Sequence, residues 1–485
     1  MLGGMSWFER LTSLDFTFLN LEDRCAHMHV AGLAVFDGPA PPYDQVLRLI
    51  DSRLDRVPRY RQRLQFVPLN QGRPVWVDEG SFDLEYHVRH SALPAPGSSA
   101  QLHRLAARLM SQQLDRSKPL WEMSLVEGVK GEDGRERFAI VTKTHHCMID
   151  GISGMDIASV LMDAEPDAAP PSPPAEPWRP RPAPSTPELL ASSLRDQIAH
   201  PLRAAREAMR TGSAASEKLL HLALGARQLL GLAQMGRAPE SSLNAPLSPH
   251  RRFHTVDLPL AGIKEVRAGL GGTVNDVVLA MVSGALRSLL ASRGEPAAQD
   301  LRVMVPVSVR AAEGRGTLGN QVTPTFATLP VSEPDPVKRI EKVRAAMKSL
   351  KESGQVLGAL ALTRLSDFAP PNLLTQVARL QVMERFFNLV VTNVPGPQFP
   401  LYFLGRRMLA CYPVVPLAAG QTVGVALLSY HGNVGVGLLG DADKARDLDR
   451  LGDFLKSALD ELLERARDAM GRRPETQARA ATGAR

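Results

Sequence analysis

Two adjacent histidines, His145 and His146, are followed at short range by Cys147, Asp150 and Gly151. An imidazole titrates near neutral pH, so either ring could take a proton from an alcohol. The preceding stretch, Arg137 to His146, alternates apolar and polar residues and predicts a strand. Ser153 to Met162 predicts a helix. Side chains alternate faces along a strand, so His145 and His146 point in opposite directions and only one can face a given cavity. Asp150 is near enough in sequence to shape the turn and orient a ring. Gly151 permits a backbone conformation that other residues resist.

Three other roles are open to these residues. A metal would need three or four ligands, and no second His/Cys cluster accompanies the pair, so no metal is expected. Cys147 could act as a nucleophile, but strand alternation turns it away from His146. Both histidines could also be structural groups at a strand end.

The elements that must position this segment are legible around it. His27 to Gly38 predicts a strand, and Tyr43 to Pro58 and Leu102 to Arg116 predict amphipathic helices. Further on, Arg251 to Leu260, Leu301 to Arg310 and Asn388 to Pro397 predict strands. Val274 to Arg293 predicts a buried helix, and Thr422 to Asp441 a hairpin turning near His431-Gly432-Asn433. Between the halves, Pro166 to Pro187 holds ten prolines in 22 residues, too many for a helix or a central strand. Glu188 to Gly236 carries apolar residues at helical spacing with Arg and Lys interleaved. It predicts either a helical pair bridging the halves or a lipid-facing element. We therefore expect an N-terminal domain over 1–165, a Pro-rich linker over 166–187, a helical connector over 188–242, a C-terminal domain over 243–465 and a disordered tail over 466–485.

At 485 residues the chain is long enough for two cores. Its formal net charge is +6, without a zinc-finger or RNA-recognition pattern, so no nucleic acid is expected. Neither a GxGxxG fingerprint nor a P-loop is present. The three cysteines, Cys25, Cys147 and Cys411, are odd in number and widely spaced, which indicates no disulfide framework. Charges occupy the place of a signal-peptide core, and no uninterrupted apolar run reaches the ~18 residues of a membrane span. Cytoplasmic location with peripheral membrane contact is the expectation.

The segment His145 to Gly151 has the HHxxxDG pattern and resembles the CoA-dependent acyltransferase superfamily, which includes chloramphenicol acetyltransferase, plant acyltransferases and condensation domains. Ordered blocks narrow the resemblance to the bacterial wax ester synthase/diacylglycerol acyltransferases. They are Leu11 to Asp23, His27 to Phe36, Phe82 to His90, Leu114 to Glu122, Leu243 to Phe253, Thr273 to Ala280, Met304 to Arg310, Gly319-Asn320 and Thr392 to Pro397. The resemblance implies an α/β fold (α+β, mixed sheets) of two chloramphenicol-acetyltransferase-like domains with the active-site tunnel between them. It implies His146 as the base and His145 and Gly151 as supporting motif. Asp150 would be a structural, orienting residue, with Arg310 as a speculative partner. Asn275 would lie near the site from the second domain, where it could stabilise an oxyanion or cap a helix. Pro119-Leu120-Trp121 would pack the core or wall the site.

The implied reaction is direct transfer from a fatty acyl-CoA co-substrate, with no bound cofactor, to a long-chain alcohol or diacylglycerol. The implied setting is neutral-lipid storage at the inner membrane face or on lipid inclusions. Two other functions stay open at this point: a condensation-type enzyme using carrier-bound acyl donors, and a non-catalytic lipid-binding protein.

Overall fold

The computed structural model of the chain describes residues 8–148, 160–168, 176, 178–196, 236–295, 297–308, 322–352 and 386–482. In the first half the strands are β1 (Glu9–Arg10), β2 (His29–Asp37), β3 (Gln62–Gln65), β4 (Val75–Asp78), β5 (Val88–Ala92), β6 (Trp121–Lys130) and β7 (Glu136–His145). In the second they are β8 (Arg251–Pro259), β9 (Leu301–Ser308), β10 (Val322–Leu329), β11 (Leu389–Pro395), β12 (Tyr402–Phe403), β13 (Arg406–Val414), β14 (Val423–Tyr430) and β15 (Asn433–Asp441). One six-stranded sheet has the order β12-β13-β2-β7-β6-β5 and the other β10-β9-β11-β14-β15-β8, beside a small β1-β4-β3 sheet. Both large sheets are mixed. β5 runs parallel to β6, and β11 runs parallel to β9 and β14, among antiparallel neighbours. This is the mixed α/β class expected.

The strand that ends at the histidines lies inside its sheet. β7 pairs antiparallel with β2 on one side, His29 opposite His145, and with β6 on the other. Its last eight residues are buried, which follows from cover on both faces.

β12 and β13 come from the second half yet pair in the first sheet, with Val414 opposite Ala31 and Met408 opposite Phe36. The domain expected over 243–465 thus lends two strands to its neighbour. β13 also lies hard against β15. A Cβ on Gly435 or Gly437 would collide with the carbonyl oxygens of Cys411 and Pro413, so only glycine allows the two backbones this close.

The helix predicted to Pro58 ends at Arg53 and gives way to 3-10 turns at Leu54–Arg56 and Pro58–Arg61. Val57 is non-helical, as suits a residue preceding proline. The helix predicted over 102–116 spans Ser99–Met110, because Ser98 and Gln101 form a capping box at its start. It packs between the first sheet and β8, where Leu102, Ala106 and Met110 join Phe253, Tyr412 and Leu439 in one apolar cluster.

Three expected boundaries move. Helix begins inside the Pro-rich linker, at 186–196, with Pro187 in the first turn, where its missing N–H costs nothing. The helical connector expected to 242 has no helix over 236–242. There Asn388 Nδ2 donates to Pro239 O at 2.7 Å and holds the chain extended. The expected disordered tail is helical as far as Thr482, in the single helix Leu448–Thr482. Leu451, Leu455, Leu459, Leu462 and Ala466 form the buried stripe of its N-terminal part. Gly269 admits Ala466 in that contact. Of the helix predicted over Ser153 to Met162, residues 153–159 lie outside the described residues and helix is present at 160–161; the helix predicted between 197 and 235 also lies outside them.

Val274–Ser292 is the one described helix long and apolar enough to cross a membrane. Most of it is buried in the core of the second half.

Candidate active site

β7 ends at His145, and a 3-10 turn, His146–Met148, begins there. Backbone bonds fix both residues: His145 N donates to Leu120 O at 2.9 Å and His146 N to Met28 O at 2.8 Å. Cys147 N donates to His145 Nδ1 at 3.1 Å. Nδ1 is therefore an acceptor, and the proton of neutral His145 sits on Nε2.

That Nε2 lies 3.6 Å from Glu22 Oε2, at full burial. Glu22 stands just after the helix Ser13–Leu21 and is a hub of buried charge. Arg116 donates to Oε2 from Nη2 at 2.6 Å and from Nε at 3.0 Å. His29 Nε2 lies 3.2 Å from Oε1. Burial alone would raise the Glu22 carboxyl, but the imidazoles of His145 and His29 outweigh it and hold it well below the usual carboxylate range. His29 is itself pushed down to about 3, chiefly by burial.

His146, the first residue of the 3-10 turn, has different neighbours. Its ring is half-buried and stacks on Phe18, 3.8 Å between centroids and 23° between planes. Its Nδ1 is buried and meets no hydrogen-bonding partner among the described residues. Burial pushes its pKa down to about 4, with nearby His145 adding to the effect. The imidazole is neutral at pH 7 and has a lone pair to offer, the state a general base needs.

Cys147 packs in the first half's core, and burial pushes its thiol well above the ordinary value. A thiol held neutral and buried is a poor nucleophile. Leu120 and Trp121 are core residues as well. Trp121 Nε1 donates to Tyr60 O at 2.8 Å, and the ring stacks on His87. The Pro-Leu-Trp turn therefore packs, and through Leu120 O it also anchors His145.

Asn275 is the second residue of Val274–Ser292 and is half-buried. The cap of that helix belongs to its neighbours. Thr273 Oγ1 accepts from Asp276 N at 3.2 Å, and Asp276 Oδ2 accepts from Thr273 N at 2.8 Å. The Asn275 side chain is left without capping work. No hydrogen bond joins it to His146 among the described residues. Asp150, Gly151, Arg310 and Gly319-Asn320 lie outside the described residues.

An open cleft of about 970 Å³ lies where the halves meet. One wall is the loop Asp23 to Ala26, and the other is built from Arg237 to Leu247, Phe387 and Ala419-Gly420. His146 is not in its lining, but the loop that forms the first wall leads directly to Met28 O. Arg251, buried at the start of β8, reaches across and donates to Cys25 O. Opposite it, Asn388 Nδ2 donates to Asn244 Oδ1 at 2.7 Å.

Sequence reasoning missed Glu22, His29, Arg116 and Arg251. The first two stand in the blocks Leu11 to Asp23 and His27 to Phe36, and an acidic residue seven places before a strand histidine was the available signal. Arg116 and Arg251 are ordinary basic residues until the fold buries them.

Comparison with known proteins bears on this geometry. The family description "wax ester synthase/diacylglycerol acyltransferase catalytic domain" matches residues 11–278, and the corresponding C-terminal domain matches 318–463. A probable diacylglycerol O-acyltransferase of Mycobacterium tuberculosis is 34% identical over 467 residues, covering 93% of this chain and 95% of its own. Another from that organism is 37% identical over 459 residues, covering 92% and 97%. The solved wax ester synthase/diacylglycerol acyltransferase of Marinobacter aquaeolei VT8 superposes with a TM-score of 0.65 at 30% identity, covering 94% of this chain and 100% of that one. A starter condensation domain of rhizomide synthetase shares the fold at 16% identity, with a TM-score of 0.58 and 96% of each chain covered.

Proposed function

Since the chain belongs to the wax ester synthase/diacylglycerol acyltransferase family, we propose that it moves a fatty acyl group from acyl-CoA to the hydroxyl of a long-chain alcohol or a diacylglycerol. The products are wax esters or triacylglycerols, made for storage where the cytoplasm meets the inner membrane face or a lipid inclusion. The observation that carries this reading is the division of labour within the histidine pair. His145 Nδ1 accepts from Cys147 N and its Nε2 lies 3.6 Å from Glu22 Oε2, while the buried Nδ1 of His146 meets no partner among the described residues.

The His146 imidazole takes the proton of the acceptor hydroxyl as that oxygen attacks the thioester carbonyl. Asn275 donates to the tetrahedral oxyanion. As the C–S bond breaks, the same imidazolium returns the proton to the departing CoA thiolate. The proton and acyl balance close without a metal or an acyl-enzyme. The family resemblance gives Asp150 a structural, orienting role. Sharing the fold of a condensation domain adds nothing in favour of carrier-bound donors, because no feature among the described residues speaks for a carrier.

The test is CoA release from palmitoyl-CoA by purified protein, with hexadecanol or a diacylglycerol as acceptor and His146→Ala in parallel. Acceptor-dependent release that drops ~10²–10⁴-fold in the mutant supports the mechanism. A mutant with near-normal turnover would overturn it.

A further inference from the structure

The cleft at the junction has a distinctive lining. Charges stand at its exposed rim, and small apolar residues form its half-buried walls, among them Ala238, Pro239 and Ala245. Among the described residues, the rim carries two cations, Arg24 and Arg237, and two carboxylates, Asp23 and Glu240. Their formal charges cancel. CoA is a polyanion and would be met by cations in excess. A balanced rim over apolar walls suits a neutral molecule with a long alkyl chain.

The volume, about 970 Å³, lies at the upper end of the ~300–1,000 Å³ of small-molecule sites. The walls are preformed. Asp23 Oδ1 accepts from Cys25 N and Ala26 N, both at 2.7 Å, and closes the loop into a tight turn. Arg251 holds Cys25 O, and the Asn244–Asn388 pair holds the opposite side. The chain links this loop to the candidate site: the helix Ser13–Leu21, which carries Phe18, ends two residues before it, and two residues after it Met28 O accepts the backbone N–H of His146.

We infer that this cleft is the entrance for the acceptor, taking the alkyl body of the alcohol between the loop Asp23 to Ala26 and the segment Arg237 to Leu247. The inference rests on the acyltransferase reading above and adds which face of the molecule each substrate uses. The acyl-CoA must then approach from elsewhere, and the two KM values respond to different walls.

Ala245→Trp and Ala419→Trp narrow the cleft without touching His146 or Asn275. Initial rates of CoA release are measured for wild type and both variants, with hexanol, dodecanol and hexadecanol as acceptors. Turnover with hexanol reports that each variant is folded, and Ala245→Leu is a smaller step if a tryptophan lowers it. The expected result is an increase of about tenfold or more in the KM for hexadecanol, little change for hexanol and an unchanged KM for palmitoyl-CoA. An unchanged chain-length profile in an active enzyme would overturn the assignment alone. A raised KM for palmitoyl-CoA with the alcohol values unmoved would overturn it too, by making the cleft the donor's entrance. Wild-type protein inactive with every acceptor would overturn the acyltransferase reading along with it.

Discussion

Phe18 and His146 lie face to face, 3.8 Å between ring centroids, although one stands on a helix near the N-terminus and the other at the end of β7. The stack covers one face of the imidazole, keeps water from it and contributes to the burial that lowers its pKa.

Phe18→Ala opens that face. The His146 pKa should rise from about 4 toward its ordinary value, and the ring should lose its fixed orientation. We expect kcat to fall ~10–10²-fold and the acidic limb of the kcat profile to move to higher pH. A pH–rate series on wild type and variant checks both. An unmoved limb would show that the stack does not set the basicity.

Glu22→Ala leaves Arg116, His29 and His145 around an empty site. Removing one partner of a buried ion pair costs ~3 kcal/mol, and the half-exposed side of Arg116 softens that figure. The measurement is the urea midpoint at pH 7. A variant as stable as wild type would mean that solvent takes over the carboxylate's role.

Acid should weaken the fold before the carboxylates titrate. His29 is held to about 3, and His103 and His146 to about 4, all chiefly by burial. The unfolded chain takes up protons at these histidines near pH 6.5 while the folded chain does not, so stability is lost as pH falls from about 6.5 toward 4. Glu22, depressed in the fold, loses its contribution at lower pH and in the same direction. Urea midpoints at pH 7, 6 and 5 should decline in order, and a flat series would contradict the burial of these rings.

Gly437→Ala tests the contact between β15 and β13. The added methyl collides with Pro413 O, a backbone atom that cannot rotate away. We expect a loss of ~1–3 kcal/mol from the enforced shift, measured as a lower thermal midpoint. Gly420→Ala is the contrasting case: nothing lies near that Cβ, and its cost comes only from a positive φ of 81°.

The sequence made the strands around the histidines legible because hydrophobic alternation is a local signal. β2, β7, β8 and the β14–β15 hairpin lie within a residue or two of where it puts them. What was hidden depended on distance in space. Glu22 reaches His145 across 123 positions, and no pattern within either segment announces that pairing. Helix ends shifted where side chains capped them, at Ser98 and at Ser185, whose N–H and hydroxyl both reach Glu188. The tail is polar by composition, yet the helix that starts at Leu448 runs on to Thr482. At Val274–Ser292 the cap is made by Thr273 and Asp276, so the capping role that sequence position leaves open to Asn275 is already filled.

The late arrival of β13 has a bearing on how the chain is made. β2 pairs with β7 as soon as both have left the ribosome, but its other edge stays open until residues 406–414 are synthesised. Until then a nascent chain presents an unpaired, largely apolar strand edge, the feature that invites pairing with another molecule. The two halves are thus obligate partners in biogenesis. A first half expressed alone would carry that open edge for good, and a second half alone would carry a strand with no sheet to join.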